Sequence, residues 1–195
     1  MTGAPGVTGA SDAVGAPGVN GAPDAAGASA VPGEERLEGL VQYRVVKYTE
    51  EERTGARPAW TSHSDIGCSF GGEVLTAEAY AETEERYLAA VRGFAAAYGV
   101  SAVRVASLEI EPESTWWGRV GEGDELAIDD AVELARSMLR EEFVWCLLSG
   151  PDGFFAHFGY DYYMYLGGPG PAEEAVGAAR RSGLQVDGFT SPYWD

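Results

Sequence analysis

Positive charge is what this sequence most lacks. Thirteen Lys and Arg residues face 31 Asp and Glu, a formal net charge of −18, and Lys47 is the only lysine. The pI is about 4.3. Such a surface repels phosphate backbones, so no nucleic-acid partner is expected. It also repels anionic bilayers. It favours a basic protein partner, because opposite fields speed encounter and suppress wrong docking. Solubility alone is the plainer account of the same charge.

Other absences narrow the field. The two cysteines, Cys68 and Cys146, are too few for a disulfide scaffold. Cys146 lies in the apolar run WCLL and reads as core, and both thiols are expected to be free. No apolar run approaches the length of a membrane span. The first thirty residues show neither a charged n-region nor an apolar h-region. A cytoplasmic protein without membrane contact is expected. No Walker A, GxGxxG, GxSxG, HExxH or CxxC pattern occurs, and no cofactor or metal is expected.

What is present falls into two parts. Residues 1–35 are rich in Gly, Ala and Pro, with GAPGV at Gly3–Val7 and again at Gly15–Val19. A segment so poor in bulky side chains cannot offset its ordering entropy and reads as a disordered tail, a possible tether. Residues 36–195 read as one α+β domain. VQYRVVKY at Val41–Tyr48 is β-branched and aromatic, a strand. The stretch from there to Leu75 reads as a long ordered loop. Thr76 caps a predicted helix that ends at about Tyr98, before Gly99. Its apolar spacing includes Tyr80, Tyr87, Leu88, Val91, Phe94 and Ala95. SAVRVASLEIE reads as a strand whose core face is ambiguous. A helix follows over about Asp129–Glu142, then the strand Phe143–Ser149, a turn at Gly150–Gly153 and a return strand from Phe154. A helix over Pro171–Ser182 and a short strand in LQVDGF complete the order β-α-β-α-β-β-α-β. That order predicts a two-layer sandwich, a mostly antiparallel sheet with helices on one face.

HFGYDYYMYLGG, His157–Gly168, carries the main functional expectation. Even positions from Phe154 to Leu166 are apolar throughout. Odd positions are Phe155, His157, Gly159, Asp161, Tyr163 and Tyr165. The alternation survives Gly159, so one long strand with a bend is predicted. Its odd face would stand in water and offer an imidazole, a carboxylate and three rings to a partner. Burial of both faces under loops is the competing account. Candidate partner contacts are His157, Asp161, Tyr163 and Tyr165, then Trp117, Glu111 and Glu113. In ESTWWGRVGEGD one of Trp116 and Trp117 is expected to anchor the core while the other meets a partner. Glu109 and Glu111 would share one face of an extended segment. Paired carboxylates suit glycosidic chemistry, but a charged strand end is the simpler reading. His63 and Asp65, with His157 and Asp161, form the one set that invites a hydrolase or metal reading. A third reading is an assembly adaptor tethered by the tail.

WTSHSDIG (Trp60–Gly67) and HFGYDYYMY (His157–Tyr165) resemble a family of small bacterial cytoplasmic proteins associated with immunity against polymorphic toxins. The resemblance covers roughly Tyr43 to Tyr193. It implies an acidic cytoplasmic protein that acts by binding and not by chemistry; with the charge, the leading expectation is an inhibitor that neutralises a basic, nuclease-like toxin partner. It carries over no catalytic residue.

Overall fold

The computed structural model describes residues 39–159 and 161–193. The tail expected over residues 1–35 lies outside the described residues, as does Tyr160.

The described residues open with β1 (Val41–Val46) and a one-turn helix α1 (Glu50–Arg53), capped by Thr49 and Glu52. A two-strand ribbon follows, β2 (Ser69–Phe70) and β3 (Glu73–Val74), so the predicted loop to Leu75 holds short elements of its own. Helix α2 (Ala77–Ala97) begins where the Thr76 hydroxyl accepts the Ala79 N–H, and Gly99 leaves it with φ +67°. Strand β4 (Ala102–Ile110) and the short β5 (Glu125–Ala127) precede α3 (Ile128–Leu139). Strand β6 (Val144–Ser149), β7 (Phe155–Phe158) and β8 (Met164–Gly168) follow, then α4 (Glu173–Arg181) and β9 (Gln185–Gly188).

Seven strands form one sheet in the order β5-β4-β6-β7-β8-β1-β9, and every neighbouring pair is antiparallel. The fold is α+β. Helix α2 touches both α3 and α4, which sets the three long helices side by side against the sheet. Their buried stripes include Tyr87, Leu88, Val91 and Phe94 of α2 with Ala131, Leu134, Ala135 and Met138 of α3. Each large side chain so buried contributes about 1.5–3 kcal/mol. Between α2 and α3 lies one fully buried acid. Glu84 accepts from Arg140 Nε at 2.6 Å and from Arg136 at 2.5 Å.

Three sequence expectations need correction. First, the predicted order lacked β5 and joined β7 to β8. Phe154 to Leu166 is not one strand: β7 and β8 form a hairpin with register His157↔Tyr165 and Phe158↔Met164. Parity survived because the connecting loop, residues 159–163, has an odd number of residues, so odd and even positions keep their faces across it. Second, the ambiguous face of β4 is a bulge. The register shifts between Ala106 and Glu109, and Ser107 has φ +52°. Val103 and Val105 face the helices before it, and Ile110 pairs with buried Val144 after it. The two amides that the bulge frees, those of Ser107 and Leu108, donate to the Glu122 carboxylate at 3.1 and 2.8 Å. Third, β6 begins at Val144, and Phe143 stands outside it.

Candidate functional site

The loop between β7 and β8 is held by tyrosine hydroxyls. Tyr48 O–H donates to the carbonyl of Asp161 at 2.6 Å, and Tyr87 O–H to that of Tyr162 at 2.7 Å. Tyr87 Oη also accepts the Lys47 N–H at 2.6 Å. Tyr162 takes a left-handed backbone, φ +62°, and sends its ring into the helical layer. There it meets Trp60 and Tyr80, and its hydroxyl donates to Tyr80, which donates to the carbonyl of Leu139 at 2.5 Å. Burial pushes the Tyr80, Tyr87 and Tyr162 hydroxyls far up in pKa, so they stay protonated donors.

The opposite sheet face carries a cross-strand row: His157 of β7, Tyr165 of β8, Arg44 of β1 and Asp187 of β9. Sequence parity placed His157 and Tyr165 there but predicted a wet surface. That expectation fails: Phe155 is 0% and Tyr165 6% exposed. The cover is the segment after β9. Phe189 lies 4.4 Å from the Arg44 guanidinium and 6.1 Å from Tyr165, and Tyr193 lies 4.4 Å from His157 and 5.6 Å from Tyr165. Buried under it, His157 Nδ1 has no hydrogen-bond partner among the described residues, and desolvation lowers the imidazole to a pKa of about 4. Tyr163 is half-buried, with Arg44 5.7 Å from its ring. Asp161 alone of the four predicted contacts on this hairpin is exposed.

The set proposed for chemistry is not assembled. His63 packs edge-on to Tyr80 of the helical layer, whereas His157 lies against Tyr193 on the other face. Asp65 Oδ2 accepts the N–H groups of Thr61 and Ser62 and stabilises its own turn. Among the described residues no group of His, Cys, Asp and Glu is arranged to hold a metal. Cys68 and Cys146 are both free. Burial raises the Cys146 thiol to a pKa of about 12, so it is inert core.

Exposed chemistry gathers elsewhere, at the end of the β4–β6 pair. Glu109 faces Trp145 across the ladder, and the Glu111 N–H donates to the Phe143 carbonyl at 3.0 Å. Glu141 and Phe143 both have left-handed backbones, φ +59° and +54°. That turn throws the Phe143 ring outward, leaving it 54% exposed. Glu109, Glu111, Glu141, Phe143 and Trp145 line an open cleft of about 280 Å³. None of the three glutamates has an ion-pair partner among the described residues; Glu141 accepts the Ser64 N–H at 3.1 Å. The loop beyond Glu111 divides its tryptophans. Trp116 is half-buried and donates to Ser137 Oγ at 3.0 Å, while Trp117 is 53% exposed. Glu113 is exposed in the same loop. Sequence reasoning found Glu109, Glu111, Glu113 and Trp117 but missed Glu141, Phe143 and Trp145. In FVWCLLS, Phe143 shares parity with Trp145 and Leu147, and only its backbone conformation turns it out.

No helix among the described residues is long and apolar enough to cross a membrane. The chain matches no protein-family model, no curated protein and no solved structure.

Proposed function

We propose that this chain is a non-enzymatic acidic binding protein that captures a basic partner protein, in the manner of the immunity proteins its two motifs resemble. The partner in that reading is a cationic toxin domain of nuclease type. Acidic side chains of the binder occupy the groove meant for phosphates, and aromatic side chains supply the desolvated anchors. The observation that carries the reading is the cleft at the β4–β6 end, where three glutamates without ion-pair partners among the described residues flank an exposed phenylalanine. Trp117 and Glu113 extend the same chemistry along the neighbouring loop.

The test is co-expression with any basic domain encoded beside this gene. Protection and a stable complex are expected. Phe143→Ala should weaken the complex by at least about 10-fold, the range of an interface anchor. A complex indifferent to Phe143 and to the three glutamates refutes the cleft as the docking site.

A further inference from the structure

The cleft at the β4–β6 end suits one kind of cation better than another. Glu109 and Glu111 stand two residues apart at the end of β4, about 6–7 Å in an extended chain. Glu141 lines the same cleft from the turn that precedes β6. Its Oε2 accepts the Ser64 N–H at 3.1 Å, which fixes where that carboxylate stands. The three acids share a cleft, yet among the described residues no group of His, Cys, Asp and Glu is arranged to hold a metal. A compact point charge is therefore not engaged by all three at once. A planar fork of five N–H donors can span acceptors set apart in this way. The cleft also offers a ring. Phe143 is 54% exposed, the Glu111 N–H fixes its carbonyl at 3.0 Å, and its left-handed backbone, φ +54°, holds the side chain out. A guanidinium stacks on such a face, whereas an ammonium is more strongly hydrated. Among the described residues no cation of the chain itself pairs with Glu109, Glu111 or Glu141. Neighbouring carboxylates repel one another, and a cation that enters relieves them.

We propose that the cleft takes an arginine side chain of the partner, its guanidinium stacked on Phe143 and its donors shared among Glu109, Glu111 and Glu141, and that it discriminates against lysine. The inference rests on the cleft being the docking site and adds which basic residue enters it. The ring supplies the discrimination, because stacking needs a planar, weakly hydrated cation. The acids supply the attraction, which both cations feel. The two parts fail separately. Loss of the ring lowers affinity chiefly for arginine, and loss of the acids lowers it for arginine and lysine alike.

The test compares hexa-arginine with hexa-lysine, equal in length and charge, by titration of the full chain at low salt. Hexa-arginine should bind about 3- to 5-fold more tightly, the range of one exposed cation–π contact. Phe143→Leu should lose most of that preference, whereas Phe143→Tyr, which keeps a ring, should retain it. Phe143 lies outside the buried core, so neither substitution puts folding at stake. Equal binding of the two peptides by the full chain overturns the arginine site and leaves the acidic cleft standing. So does a preference that Phe143→Leu leaves unchanged. If Glu109→Gln, Glu111→Gln and Glu141→Gln together weaken neither peptide, the cleft is not the docking site and this inference falls with it.

Discussion

The two faces of the sheet use aromatic side chains in opposite ways. On the helical side, hydroxyls do the holding: Tyr48, Tyr80, Tyr87 and Tyr162 each donate to a specific acceptor, and two of those acceptors are carbonyls of the β7–β8 loop. On the other side, Phe189 and Tyr193 lay their rings against His157 and Tyr165, and His157 Nδ1 finds no hydrogen-bond partner among the described residues. Buried polar atoms cost most when a partner is removed, whereas half-exposed rings lose little. The helical face should therefore be brittle and the face covered by Phe189 and Tyr193 more tolerant.

The largest break is at Glu84. Truncating it to Ala removes the charge-assisted bonds to Arg136 and Arg140 and empties a fully buried site, while Arg136 keeps Glu85 and Glu133, and denaturant unfolding should show a loss of about 2–3 kcal/mol. Tyr87→Phe comes next. It strips a donor from the Tyr162 carbonyl and an acceptor from the Lys47 N–H, for a loss of about 1–3 kcal/mol.

On the covered face the first lever is pH. His157 titrates near 4 in the fold against about 6.5 in an unfolded chain. Between those values the unfolded state takes up a proton that the folded state refuses, so stability falls as pH drops from about 6.5 toward 4. His157→Leu removes that component. Thermal melts of the two proteins should keep a constant offset above pH 7, and the native protein should lose ground to the variant by a few degrees as pH approaches 4. Parallel curves would mean that the imidazole is hydrated. The smallest effect is Phe189→Ala, expected to cost under about 1 kcal/mol in the same denaturant assay. A loss as large as that of Tyr87→Phe would erase the contrast between the faces.

Much of this was legible. Thr76 and Gly99 marked α2, and the apolar spacing of α2 and α3 named their buried stripes, because capping and periodicity are local. Parity over residues 154–166 assigned both faces of the hairpin yet could not reveal the hairpin, since an odd loop leaves alternation intact. The bulge in β4 surfaced only as an undecided face at Ser107 and Leu108. Two facts were out of reach. The cover over Tyr165 comes from Phe189 and Tyr193, more than twenty residues away in sequence, and no local pattern announces it. The outward turn of Phe143 depends on left-handed backbones at Glu141 and Phe143, residue types for which that conformation is uncommon.

The central claim is that binding is local to the cleft and not a property of bulk negative charge. Titration with a hexa-arginine peptide separates the two. The variant Glu109→Gln, Glu111→Gln, Glu141→Gln should bind it about 10-fold more weakly at low salt, because a peptide of arginines alone is drawn chiefly by the local field. A control that neutralises the exposed Glu125, Glu173 and Glu174 makes the same change in net charge and should lose no more than about 2-fold by long-range screening. Equal losses in the two variants would contradict the account.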